Sequence, residues 1–334
     1  VRSGLASFAT STTTWRAQFP APSQLRDRFD FTISNESVGL YDKQGQTLVD
    51  LHQCPQQSPA LAEAWQKVRP HLPSVKKGSV RVRVGPQQEI GVWLDLAHKD
   101  VQELFAKPDK LQSLLAIAHV EIGQRRKHLR WDSEQQRLRL ADPQYKIWSD
   151  TQVNGKSHPL LGLVGSFTQV GHRASRVLMQ EYQRMLDSIS PQHFLEFGSG
   201  NGNLTLPALA KTKSGVALES DQLATRGLKL TLQGTPEQER LRIGTQLLAS
   251  ETLKSFDLLI LNPPRSGIQG LAEVIRDCPQ PELPRTVFYM SCYFSSLLQD
   301  AKLLQGKGYQ LAQVALVDQF PQTHHFELLT LWTK

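Results

Sequence analysis

The sequence predicts an α/β protein, with a doubly wound, mostly parallel sheet in its second half preceded by a smaller α+β domain. Three observations carry this. After residue 155, apolar strand-like runs alternate with amphipathic helical stretches. Within that half, Phe194–Pro207 (FLEFGSGNGNLTLP) reads as strand, glycine turn and helix. Before it, short runs of alternating polarity separated by turn residues read as a strand meander. The expected domains are 1–155 and 156–334.

At 334 residues the chain is long enough for two cores, and 39% hydrophobic with 21% charged residues fits a soluble globular protein. No apolar run reaches the length of a membrane span and no secretory pattern opens the chain, so no membrane partner is expected. Cys54, Cys278 and Cys292 share no metal-ligand spacing, and no metal site is expected. Their odd, sparse count points to a reducing, cytoplasmic compartment. The net charge of +7 is lopsided: residues 1–160 hold 22 Lys and Arg against 16 Asp and Glu, a surplus of six. That surplus fits either a polyanion partner such as nucleic acid or an ordinary solvated basic surface.

Residues 1–20 are Ser/Thr-rich and read as an irregular arm, in which Trp15 and Arg16 either contact nucleic acid or plug a hydrophobic gap. FDFTIS, VGLYD and TLVDL form the meander, and residues 60–72 have helical spacing. SVRVRVG and EIGVWLDL form a hairpin across Pro86-Gln87-Gln88, with Arg81 and Arg83 on one face. Residues 100–118 read as helical, interrupted at Pro108, and the next stretch carries Arg125, Arg126, Lys127 and Arg130. These basic strands, with Trp93 and Trp131, can line a nucleic-acid surface or be an ordinary sheet with polar outward positions.

A long amphipathic helix is expected over roughly 173–188, then the organising strand and its turn, with Gly198, Gly200 and Gly202 at every second position. Such a turn lets backbone approach a nucleotide-like ligand. SGVALES is a strand ending at Glu219, placed to accept hydrogen bonds from ribose hydroxyls. Further strands end at Asn262-Pro263-Pro264-Arg265 and at Ser291-Cys292, and two long closing strands read as an antiparallel pair. In doubly wound sheets ligands sit at the C-terminal strand ends, so the glycine turn, Glu219, Asn262 and Cys292 should converge on one crevice. Cys292, at a strand tip before a helix, has the setting of an activated nucleophile. Glu327, opening the last strand, has that of a base with a raised pKa. The plain alternatives are a packing cysteine and a solvated carboxylate.

With these pieces in order the chain resembles the S-adenosylmethionine-dependent RNA uracil-5-methyltransferases. The resemblance covers residues 155–334 and is fainter from Trp15 onwards. GSFTQVG resembles the family's F-x-Q-x-N segment, LEFGSGNGNLTLPALA its glycine motif, LNPPRSGI its [DN]-P-P-R-x-G motif and YMSC its catalytic strand. DQFPQTHHFELLTLWTK resembles its C-terminal segment. The Asn of NPPR and the ending ELLTLWTK are most similar to the branch acting on 23S ribosomal RNA. The resemblance implies a Rossmann-like methyltransferase domain, S-adenosyl-L-methionine as cofactor and RNA, ribosomal before transfer, as partner. It implies Cys292 as nucleophile towards uracil C6 and Glu327 as the base that removes the C5 proton. Gln169, Gly198, Gly200, Asn203, Glu219 and Asn262 would line the cofactor and base pocket, Asn262 touching either. Arg265 would contact RNA or cap its strand.

The chain departs from the family in three places. Tyr293-Phe294 replaces the Asn-Pro that usually follows the catalytic cysteine, and Gly171 replaces the Asn of F-x-Q-x-N. Many members hold an iron–sulfur cluster on four cysteines; here only Cys54 matches, so no cluster is expected. Two other readings stand beside this one: an RNA-binding paralogue without catalysis, and an amino-group methyltransferase using the NPPR motif.

Overall fold

The computed structural model describes residues 1–35, 37–42, 44–123, 127–247 and 252–334, so Arg125 and Arg126 lie outside the described residues. The chain divides into two compact units that are not its two contiguous halves. One comprises residues 1–22, 150–160 and 173–334; the other comprises 23–149 and 161–172.

The first unit is built on an eight-stranded sheet. Its strands are β1 (Ala9–Gln18), β2 (His193–Phe197), β3 (Ser214–Leu218), β4 (Leu241–Gly244), β5 (Leu258–Leu261), β6 (Thr286–Ser291), β7 (Gln310–Val317) and β8 (Glu327–Thr333). They lie in the order β1-β7-β8-β6-β5-β2-β3-β4. All neighbours are parallel except β8, which runs antiparallel to both β6 and β7. The doubly wound expectation therefore holds, as does the antiparallel closing pair.

The N-terminal arm is not irregular: Trp15–Gln18 pair with Val314–Val317 in register. Its β-branched threonines suit a pleated edge, but the run has too few apolar residues to show the usual strand alternation. Trp15 packs partly against the core and Arg16 Nε donates to Glu181 at 3.1 Å, so this pair serves the unit's own packing.

Both sheet faces are covered, which explains the continuous apolar runs. Leu258, Ile260 and Phe288 pack on one side, with Leu178, Met179, Tyr182 and Met185 of α1 (His172–Asp187). Leu259, Leu261 and Val287 pack on the other, with Leu271 and Ile275 of α2 (Gln269–Asp277) and Leu297, Ala301 and Leu304 of α3 (Phe294–Gly306).

The second unit has its own eight-stranded sheet, in the order 48–50, 37–41, 28–35, 75–84, 90–96, 119–122, 127–132 and 137–141. Phe29, Phe31, Val80, Val82, Val92 and Leu94 form its core face, packed with Trp65. Period two then sends Arg28, Arg81 and Arg83 to the opposite face.

That face corrects the nucleic-acid expectation for Arg81, Arg83 and Trp93. Arg83 is 2% exposed and its guanidinium donates to the carbonyls of Trp148 at 3.0 Å and Val164 at 3.2 Å and to the Thr168 hydroxyl at 2.8 Å. Arg81 donates to the Gly165 carbonyl at 2.7 Å and Arg28 to that of Thr168 at 2.9 Å. Glu121 accepts from the Val164 and Gly165 N–H groups at 2.9 and 3.0 Å. The 163–168 segment is thus held by three cations on its carbonyls and one carboxylate on its amides. Trp93 is covered by Gly123 and Gly165, either of which would drive a Cβ to within 3.0 Å of the indole.

Burial pulls the Arg83 pKa well below its ordinary value and the neighbouring Arg28 and Arg81 charges add to this, against the charges of Glu121 and Asp30. Replacing Arg83 with Met should strand buried acceptors on Trp148, Val164 and Thr168 and cost about 3 kcal/mol or more. A urea titration of the full chain checks this; an unchanged midpoint would show that the cage is dispensable.

Candidate active site

The glycine turn leaves β2 after Phe197. Gly198 adopts φ +77°, and a Cβ there would stand 3.2 Å from the Asn262 carbonyl oxygen, so only glycine lets the ends of β2 and β5 come this close. Its N–H donates to the Leu218 carbonyl at 2.9 Å, joining the turn to the end of β3. Gly200, at φ +56°, donates its N–H to Glu219 Oε2 at 2.9 Å, and Glu219 Oε1 accepts from the Asp221 N–H at 2.8 Å. Glu219 therefore braces the turn while keeping lone pairs for a ligand.

Gly198, Ser220 and Asn262 line one cavity of about 520 Å³, completed by the 263–271 loop. Asn203 is not part of its wall; its carbonyl instead accepts from the Thr151 hydroxyl at 2.7 Å. Gln169 belongs to the 161–172 segment of the other unit, as does Gly171, whose missing Cβ leaves room for the Leu25 carbonyl.

Glu196, within the same motif, points away from this cavity into the core. It is 0% exposed and accepts from the Thr205 hydroxyl at 2.6 Å. Burial pushes its carboxyl up to about 8, with the Thr205 hydrogen bond pulling down and the Glu219 charge adding a little, so it carries a proton at neutral pH.

The reactive pair comes from β-register. Ser291 of β6 lies opposite Leu328 of β8, so the next residue, Cys292, comes alongside Glu327. The Ser291 hydroxyl accepts from the Tyr293 N–H at 3.1 Å and turns the chain into α3, leaving the thiol just before a helix N-terminus. Burial pushes the Cys292 thiol up and the Glu327 carboxylate adds to this; a hydrogen bond and the charge of Arg265 pull it down. Glu327 is 6% exposed. Burial pushes its carboxyl up to about 7, against a hydrogen bond from the Gln319 side chain and the Arg265 charge. Arg265 therefore faces both groups, which neither sequence reading of it anticipated.

The loop that carries Arg265 is pinned by Asp300 of α3, which accepts from the Ile268 N–H at 3.1 Å and from the Tyr289 hydroxyl at 2.5 Å. Gln319 and Asp300 were missed in the sequence. Gln319 is a polar residue, 0% exposed, in the D-Q-F-P stretch after a buried strand, and that position was its one signal. Phe294, in place of the family's proline, packs near Phe326 with ring centroids 6.5 Å apart, while Tyr293 stays 46% exposed. Among the described residues no three His, Cys, Asp or Glu side chains gather as metal ligands.

The tRNA (uracil-5-)-methyltransferase family matches residues 218–334. An uncharacterised RNA methyltransferase of Bdellovibrio bacteriovorus is 37% identical over 318 residues, covering 93% of this chain and 81% of the relative. The chain belongs to the RNA uracil-5-methyltransferase family. The methyltransferase is also 32% identical over 183 residues to the 23S rRNA (uracil(1939)-C(5))-methyltransferase of Cupriavidus necator, covering 50% of this chain but 40% of that enzyme. Among solved structures, the Pyrococcus abyssi tRNA (uracil-54, C5)-methyltransferase in complex with S-adenosyl-L-homocysteine superposes with a TM-score of 0.69. That match covers 99% of this chain and 81% of the other at 17% identity, a likeness of fold.

Two outcomes follow for the methyltransferase. An unfolded carboxyl titrates near about 4.3. With its folded value at about 8, Glu196 binds more protons folded than unfolded across that window, so its contribution to stability falls as pH rises through it. Glu327, at about 7, acts with the same sign. Glu196→Gln keeps an acceptor for Thr205 and has no proton to lose, so the drop in melting temperature between about pH 5 and 9 should shrink. An identical drop in the variant would place the pH dependence elsewhere. Separately, Arg265→Gln should move the pH profile of Cys292 alkylation to higher pH by about one unit; a profile that stays in place would remove Arg265 from the thiol's control.

Proposed function

We propose that the protein methylates C5 of a uridine in RNA through a covalent Cys292 adduct, with 23S ribosomal RNA as substrate. The observation that carries this reading is the meeting of Cys292, Arg265 and Glu327, from the ends of β6 and β5 and the start of β8, three neighbouring strands. The ribosomal substrate is supported by sequence likeness to the Cupriavidus enzyme, though the chain spans about two-fifths of that relative's length.

The residues fit S-adenosyl-L-methionine. The positive-φ Gly198 admits a ligand against bare backbone, Glu219 offers carboxylate lone pairs, and the cavity of about 520 Å³ is lined by Asn262 and the loop after it. When bound, this cofactor supplies an electrophilic methyl group.

Uracil C5 is a weak nucleophile. The Cys292 thiolate adds to C6, forming an S–C6 bond and moving electron density onto C5 and O4. C5 then takes the methyl group, the cofactor's S–CH3 bond breaking to leave S-adenosyl-L-homocysteine. Glu327 removes the C5 proton while the S–C6 bond breaks, restoring the aromatic base and the thiolate. A carboxyl held at about 7 suits this step, being part-ionised at neutral pH and still basic enough to accept the proton. Arg265 favours the thiolate in the resting site. The target base must leave its stack to reach these groups, so a flipped or looped-out uridine is expected.

The test is nucleoside analysis after incubation with S-adenosyl-L-methionine and unmodified 23S or transfer RNA. 5-Methyluridine in 23S RNA is expected; in transfer RNA alone it would overturn the ribosomal substrate, and an N-methylated nucleoside would overturn the uracil chemistry. Cys292→Ala should lower turnover by about a thousandfold or more. Glu327→Gln should retain RNA as a covalent adduct stable to denaturing electrophoresis, and its absence would argue against Glu327 as the base that releases Cys292.

A further inference from the structure

The unit formed by 23–149 and 161–172 holds a cavity that this chemistry does not use. Strands 119–122 and 127–132 pair at Glu121–His128 and Ile122–Lys127. Extending that register would set His119 opposite Arg130, yet among the described residues the ladder stops and the strands part. The gap is a cavity of about 400 Å³ whose walls include His119, His128, Arg130, Trp131 and Lys146.

Its chemistry is aromatic and cationic. The His119 and His128 rings stack with centroids 5.1 Å apart and planes 17° apart. His128 Nδ1 lies 3.1 Å from the Asp142 carbonyl oxygen, which fixes the ring's orientation. The His119 side chain is 9% exposed and its Nε2 has no hydrogen-bond partner, lying 3.6 Å from a Glu121 oxygen that already accepts from Val164. Arg130 is exposed and meets no carboxylate among the described residues. Lys146 is half-buried and 3.4 Å from Glu89. Trp131 packs partly against the core while lining the cavity.

We propose that this gap is an accessory subsite for one nucleotide of single-stranded RNA, its base against the His128 ring and its phosphate on Arg130, which shares that face of the strand. The proposal rests on the RNA-methylating reading above and extends it to how the substrate is held. Rings that present a π-face take any base by stacking, and an unpaired guanidinium beside them takes the phosphate. Where the strands part, the 129–131 backbone edge offers donors and acceptors to a base edge. An ordinary hydrophobic core gap explains none of the cations, and a surface ion-pair network would have given Arg130 a carboxylate.

The experiment compares wild type, Arg130→Glu, His128→Ala and Lys99→Glu, after melting curves confirm that each is folded. Lys99, 84% exposed on the 98–106 helix of the same unit, makes the same charge change away from the cavity. The probe is a fluorescent oligouridylate of about ten nucleotides, with 23S RNA methylation measured in parallel. Arg130→Glu should weaken oligouridylate binding about tenfold, lower the salt slope by about one, and raise KM for RNA at unchanged kcat. His128→Ala should weaken binding while leaving the salt slope in place, because it removes a ring and no phosphate contact. Lys99→Glu should stay within about twofold of wild type. Binding by Arg130→Glu equal to wild type, or an equal loss in Arg130→Glu and Lys99→Glu, overturns the subsite. If wild type methylates RNA while all variants bind alike, only the subsite fails. If wild type neither binds the probe nor methylates RNA, the functional reading fails and the subsite with it.

Discussion

The last strand runs against both of its neighbours, and this reversal decides where the reactive groups meet. In an all-parallel sheet the C-terminal tips of the strands carry the functional side chains, while the starts of strands lie at the opposite edge. Because β8 is turned round, its first residue stands among the tips of β6 and β7, with Ser291 opposite Leu328 and Val317 opposite Glu327. A carboxylate is thereby carried to a thiol by register alone. The same packing withdraws water from both, which lifts their pKa values together; Arg265 limits the rise of both, and Gln319 that of the carboxyl.

The two units handle buried ionisable groups in opposite ways. Arg83 cannot shed its charge cheaply, so the 163–168 backbone and Trp148 supply a cage of oxygen atoms. Glu196 is given one hydroxyl and keeps its proton. The difference follows from reference values: a carboxylic acid becomes neutral within a few pH units of neutrality, whereas a guanidinium has a far longer way to go. Part of the positive charge in the chain's first half, on Arg28, Arg81 and Arg83, is therefore structural.

The doubly wound sheet, the closing antiparallel pair and the placing of Gly198, Glu219, Asn262 and Cys292 at the C-terminal ends of strands were legible in the sequence. Each depends on local pattern, a glycine spacing or an apolar run, that the fold rules translate into position. What failed to show depends on partners. Arg81 and Arg83 alternate on a strand exactly as solvent-facing residues would, and nothing local reveals that a segment some 80 residues later covers them. Asn203 matched a motif position, but its carbonyl is bound to Thr151. Gln319 is indistinguishable from a loop glutamine until β7 and β8 are paired around it. The first strand was missed for a similar reason, since a run rich in Ser and Thr has no apolar face to announce it.

That strand has a consequence for how the protein is made. Residues 14–18 pair with 313–318, so the outermost edge of the first unit joins two stretches roughly 300 residues apart in the sequence. While the chain is being synthesised, the arm has no sheet to join. It stays an unpaired segment through the manufacture of nearly everything between, and its closure is among the longest-range events in folding. Its polar composition fits that wait: a stretch of serines and threonines can remain hydrated without drawing other exposed strands to it, where an apolar edge would invite aggregation.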